Sequence, residues 1–168
     1  MNFNINKHII FPLVATILCM LAIFILSAQP ATKSNTNSKM VLNQIVDTTM
    51  KLGGSDITEQ QKTELVDKVN SVARELMHAA VYFVMAIFLQ ITILGIFRRK
   101  LLSMFITFTF CVAYGISDEI HQLFIPGRTF QLIDLVMDTG GASAAIVLVV
   151  LVYIIRKNLD VQQQRKIR

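Results

Sequence analysis

At 168 residues the chain is long enough for one compact domain. It is 54% hydrophobic and only 16% charged, against about a quarter charged in soluble domains, so lipid rather than water is the expected solvent for much of it. The C-terminal share of its +5 net charge follows an apolar run, and its 11 Phe lie mostly inside such runs. With no exposed stacking platform, nucleic-acid binding is excluded. Cys19 and Cys111 fall inside apolar stretches and read as small hydrophobes. CxxC, GxGxxG, Walker and HExxH patterns are absent.

Taken in chain order, the first element is an apolar run over residues 9–28, preceded by Lys7-His8 and ended by Gln29-Pro30. Its length suits a hydrocarbon core of roughly 30 Å. It exceeds the apolar core of a usual signal peptide and no small-x-small site follows, so a retained helix is expected. Residues 29–73 form a polar segment. Pro30 to Ser38 reads as loop, and Val41, Ile45, Val46 and Thr49 then repeat at helical spacing up to Gly53-Gly54. Thr58 with Gln61 resembles a capping box, and Leu65, Val69, Val72 and Leu76 draw one apolar stripe on the helix that follows. An amphipathic helical hairpin on the membrane surface fits this pattern.

Further spans are expected over residues 76–97, 101–125 and 132–155, separated by Arg98-Arg99-Lys100 and by Pro126-Gly127-Arg128 and followed by Arg156-Lys157. The predicted fold class is therefore all-α: a single polytopic membrane domain, 1–160, with four transmembrane helices and an extracytoplasmic insertion at 29–73. Residues 161–168 would be a basic tail. Both short basic flanks become cytoplasmic if both termini are cytoplasmic, as the positive-inside rule asks. In the 29–73 segment, Asp47, Asp56, Glu59, Glu64 and Asp67 balance five Lys. Gly140, Gly141, Ala144 and Ala145 would let a neighbouring helix approach the last span, or leave room for a lipid chain.

Charge at membrane depth is costly unless paired or hydrated, so its placement is informative. Arg74, Glu75 and His78 open the second span. Ser117, Asp118, Glu119, His121 and Gln122 close the third, Arg128 lies in the turn, and Asp134 and Asp138 open the fourth. All fall at the same membrane side. Arg74, His78 and Tyr82 share one helical face, as do Asp118 and Gln122, and Asp134 and Asp138.

Two or three carboxylates with a histidine can hold a divalent cation such as Mg²⁺, Mn²⁺ or Ca²⁺, and Asp118, Glu119, Asp134 and Asp138 are the candidate metal ligands. Asp118, Glu119, His121 and His78 could equally work as general acid and base. Arg74 and Arg128 supply docking for a phosphate or carboxylate, with Gln122 and Tyr82 as further contacts. Arginines meeting lipid phosphate, an interfacial histidine and a helix-start acid at Asp134 are the plainer alternatives. The set would suit an anionic lipid headgroup with its chain between helices. Binding or shielding, metal-assisted hydrolysis or transfer on a lipid phosphate, and a small transporter or structural role all stay open, and with them homo-oligomerisation.

The string Asp118-Glu119-Ile-His121-Gln122-Leu-Phe124-Ile-Pro126-Gly127-Arg128 is the most specific motif. With Ser27-Ala28-Gln29, Arg74-xxx-His78 and Asp134-xxx-Asp138-xx-Gly141, it resembles the VanZ-like family of bacterial integral membrane proteins, over most of the chain except residues 31–70 and the tail. The resemblance implies a multi-pass protein of the bacterial plasma membrane with a cell-envelope role, contributing to resistance against teicoplanin-type lipidated glycopeptides. It implies functional roles for Gln29, Arg74, His78, Asp118, Glu119, His121, Gln122, Arg128 and Asp134. The expected partner is a membrane lipid or lipid-linked envelope molecule. The chain departs from the family in carrying Asp138 where Asn is usual and Ala28 where Ser is common, the first of which makes the cluster more acidic.

Overall fold

The computed structural model describes residues 7–53, 58–97 and 99–167. It contains five helices: α1 (Lys7–Ser27), α2 (Ala31–Gly53), α3 (Glu59–Phe97), α4 (Lys100–Gln122) and α5 (Leu132–Ile167). Among the described residues there is no strand. Four helices are long and apolar enough to cross a membrane, over Ile9–Ser27, Leu76–Phe97, Lys100–Gln122 and Leu132–Gln164. The all-α membrane fold is as expected, and several boundaries move.

α2 begins at Ala31, so the stretch expected as loop up to Ser38 is helix. The third span stops at Gln122, not at 125, because the chain turns through Leu123–Arg128, where Gly127 adopts φ 77°. That left-handed conformation is one glycine tolerates. α5 runs to Ile167, so the expected tail continues the helix.

The expected capping box forms reciprocally. The Thr58 backbone N–H donates to Gln61 Oε1 at 3.0 Å, and the Gln61 N–H donates to Thr58 Oγ1 at 3.3 Å. From that cap α3 runs 39 residues without a break, roughly 59 Å at 1.5 Å per residue, about twice a hydrocarbon core. The second arm of the hairpin is therefore the upward continuation of the second span, not an element lying flat on the membrane. α2 packs antiparallel on that arm through polar clasps: Asn70 Nδ2 to Asn35 Oδ1 at 2.7 Å, Lys39 to Asp67 at 2.6 Å and Lys62 to Asp47 at 2.6 Å.

The core is built from small and medium side chains where α3, α5, α1 and α4 meet. Tyr82, Met85, Ala86, Cys111, Ala142 and Ala145 are all at most 2% exposed. Large apolar side chains such as Phe11, Leu101 and Phe105 point outward, as lipid-facing residues do. The closest helix contact is at Gly141, where a Cβ would overlap the Ala79 carbonyl. Of the four small residues on the last span, Ala145 is buried and Gly141 meets α3, while Gly140 and Ala144 are exposed.

Candidate functional site

The polar residues collect at the end of the bundle opposite Arg99 and Lys100, where the 28–30 and 123–131 turns lie. Each is set there by helix periodicity. On α4 one face carries Ser103, Thr107, Cys111, Gly115, Asp118, Glu119 and Gln122, all buried. On α3 His78 and Tyr82 lie one turn apart, and on α5 so do Asp134 and Asp138.

The carboxylates divide into separately engaged groups. Asp118 Oδ2 accepts from the Ser27 hydroxyl at 2.8 Å and from Gln122 Nε2 at 3.2 Å. Glu119 is fully buried; its Oε1 accepts from Gln122 Nε2 at 3.3 Å and its Oε2 from the Gln131 backbone N–H at 2.7 Å. That last bond places a carboxylate at the start of α5, where the helix dipole favours it. His78 faces two acids, with Nδ1 3.5 Å from Asp138 and Nε2 3.9 Å from Asp134. Gly115 joins the groups: a Cβ there would lie 3.7 Å from the Tyr82 hydroxyl and 3.8 Å from Asp138 Oδ2. Asp118 is one turn further along α4.

A cavity of about 430 Å³ opens beside this cluster, between α1, α2 and α3. Its walls are largely apolar, with Ile23, Leu26, Val41, Leu42, Met77 and Val81 prominent. The polar residues on it are Ser27, Gln29, Ser38, Asn70, His78, Tyr82 and Arg128. Asp118, Glu119, Asp134 and Asp138 do not line it. The carboxylates stand behind the donors, gripping Ser27 and His78 from the far side. The volume is within the range of small-ligand sites, about 300–1,000 Å³.

The structure places His78, Tyr82, Asp118, Glu119, Gln122, Asp134 and Asp138 at this one end of the bundle. Other candidates sit differently. His121 stacks on Phe24 with ring centroids 4.5 Å apart, toward α1 and away from His78. Arg128 Nε donates to the Gln29 carbonyl at 3.3 Å, tying the turn to the end of α1. The Arg74 and Glu75 side chains lie outside the described residues. Among the described residues no group of three or more His, Cys, Asp or Glu is arranged to hold a metal ion. Asp118 and Glu119 turn to Ser27, Gln122 and Gln131, whereas Asp134 and Asp138 turn to His78, so the four candidate ligands do not converge on one point.

Ser27 stood in the motif without an assigned part and Gly115 was not singled out, since nothing local marks a serine at the end of an apolar run as a hydrogen-bond donor to a carboxylate. Tyr114, whose hydroxyl donates to the Met20 carbonyl at 2.7 Å, also fastens α4 to α1. Farther toward the basic turn, Gln90 Nε2 donates to Ser103 Oγ at 3.0 Å between α3 and α4. The core of Met85, Ala86, Cys111 and Ala142 separates that pair from the cavity.

A family model described as VanZ/LLP1 matches residues 11–154, nearly the whole membrane region. No curated protein and no solved structure matches the chain.

Proposed function

The chain belongs to the VanZ/LLP1 family, and from that premise we propose that it is a plasma-membrane protein that binds or shields an anionic lipid-linked molecule of the cell envelope. Both termini are cytoplasmic in this reading and the cavity faces the outer leaflet, because Arg99, Lys100, Arg156 and Lys157 then sit inside as topology rules favour. The carrying observation is the charge of the cavity lining: among the described residues it includes the cation Arg128, with the amides of Gln29 and Asn70, and no carboxylate. Donors in an otherwise apolar pocket recognise an anion whose remainder is hydrocarbon.

The buried acids act as supports. Asp118 orients Ser27, and Asp134 with Asp138 orients His78. Both ring nitrogens of His78 face carboxylates, which leaves neither turned toward a ligand for proton transfer. This favours binding over the hydrolase or transferase reading. In an organism exposed to lipidated glycopeptides of the teicoplanin type, occupancy of a lipid-linked envelope molecule by this site would reduce access of the drug to it.

The test compares dodecyl phosphate with dodecanol on the full chain in phosphatidylcholine discs, with empty discs as blank. The phosphate binds and the alcohol does not displace it. Arg128→Gln weakens phosphate binding roughly tenfold, the scale of one hydrogen bond to a charged group. Equal binding of the alcohol would refute the anion site. A time-dependent release of inorganic phosphate would establish the enzymatic alternative. Expression in a susceptible host, scored for teicoplanin sensitivity with and without Arg128→Gln, tests the resistance role.

A further inference from the structure

The cavity is not closed toward the membrane. Three of its lining residues are largely exposed: Leu26 on α1, Val41 on α2 and Met77 on α3, at 53, 55 and 60%. Leu26 is the last residue but one of a spanning helix, and Met77 is the second residue of the next span. The mouth they frame therefore lies at the depth where lipid chains begin. It adjoins an apolar surface that continues onto the hairpin. Val72, Val69 and Leu65 extend the exposed face of α3 above Leu76, and Met40 and Ile45 flank Val41 on α2. Exposed apolar side chains thus continue from the mouth onto the hairpin. Beyond the mouth the cavity reaches Arg128, with His78 and Tyr82 also on its wall.

We infer that the ligand is a single-chain amphiphile that moves in sideways from the leaflet through this mouth, and that α2 is the wall that selects its chain. The inference rests on the anionic-lipid reading of the site. The head occupies the donor end and the first segment of chain lies between Val41 and Leu42 of α2 and Met77 of α3. One head and one chain segment suit a cavity near the lower part of the ligand-site range. The placement also gives the insertion a task. α2 is a polar helix held by three polar clasps, and of its described apolar residues Val41 and Leu42 line the cavity while Met40 and Ile45 are exposed. An element so placed is explained by what it covers.

The experiment measures displacement of radiolabelled dodecyl phosphate by dodecyl phosphate, butyl phosphate and dioleoyl phosphatidic acid. It uses wild type, Val41→Trp and Leu42→Trp in phosphatidylcholine discs. Dodecyl phosphate should displace best. Val41→Trp, at an exposed position where folding is undisturbed, should weaken it roughly tenfold, the effect of losing contact with two buried methylenes. It should leave butyl phosphate unchanged. Size-exclusion profiles and thermal melts of the variants confirm that each is folded, and Val41→Lys repeats the test with a charge at the mouth. If butyl phosphate matches dodecyl phosphate, or both Val41 variants bind like wild type, the chain-selecting role of α2 is overturned while the anion site stands. If the two-chain phosphatidic acid wins, the single-chain assignment fails. If no phosphate binds wild type, both readings fall together.

Discussion

Gly141 offers the sharpest test of how the site is held. A Cβ at this position would overlap the Ala79 carbonyl oxygen, with the carbonyl carbon at 2.8 Å and the Ala79 Cα at 3.0 Å. All three are backbone atoms of α3, so no side chain can swing aside. Relieving the overlap with the carbonyl oxygen, the nearest of the three, requires α3 and α5 to part by about 1 Å or more. Overpacking of this kind costs about 1–3 kcal/mol. At about 2–4 °C per kcal/mol for a chain of this size, Gly141→Ala should melt roughly 4–8 °C below wild type in mild detergent. His78 precedes Ala79, and Asp138 lies three residues before Gly141, so the same displacement stretches the 3.5 Å contact between them. Dodecyl phosphate binding should fall with the melt. Gly140 is the matched control: nothing lies within 4 Å of a Cβ there. Gly140→Ala should be neutral, or stabilising by up to about 1 kcal/mol through helix propensity. Equal melting temperatures for the two alanine variants would refute the close crossing at Gly141 and the account of His78 built on it.

Three further outcomes are expected. Ser27→Ala removes a 2.8 Å hydrogen bond to the buried Asp118 and should cost about 1.5–3 kcal/mol in thermal stability; a melt indistinguishable from wild type would dissociate Ser27 from Asp118. In a Cys19→Ser, Cys111→Ala background, a membrane-impermeant maleimide should label Thr129→Cys on intact cells and Asn158→Cys only after permeabilisation, since both positions are exposed; the reverse pattern would invert the topology. Asn70→Leu breaks the clasp to Asn35, so amide hydrogen exchange over residues 31–53 should accelerate while the spans keep their protection. Uniform acceleration would show that α2 is integral to the bundle.

The spans were legible in the sequence because an apolar run of about 20 residues has one stable outcome in lipid. The apolar stripe of Leu65, Val69, Val72 and Leu76 on the hairpin arm is exposed at 38–60%, while Val66 and Asn70 are buried. In a chain whose solvent is lipid, the small and polar face turns inward. α4 obeys the same inversion over its whole length, from Ser103 through Thr107, Cys111 and Gly115 to Gln122. Convergence of the polar residues on one end was also readable, since helix length and spacing fix it. Their partners were not. Ser27 with Asp118 spans 91 residues of sequence and Arg128 with Gln29 spans 99, and no local pattern encodes such pairings.

The placement of the acids bears most directly on what the site can do. A carboxylate at membrane depth costs several kcal/mol unless it is paired, and the chain carries four within a few turns of one another. Apolar replacements would avoid that cost but would leave the Ser27 hydroxyl, the His78 ring and the Gln131 N–H without fixed acceptors. As built, Asp118 fixes Ser27, Asp134 and Asp138 bracket His78, and Glu119 closes the start of α5 over the 123–131 turn that delivers Arg128. Ser27 and His78 are thereby held by acids that do not themselves line the cavity. The carboxylates stand behind the side chains they hold, so among the described residues the charge on the cavity wall is that of Arg128. The same reasoning explains why an amide at position 118 is not a neutral exchange. Ser27 and Gln122 both donate to the single oxygen Oδ2, so an amide oxygen at that place keeps both bonds, but each then ends on a neutral acceptor and loses the added strength of a bond to a charged group.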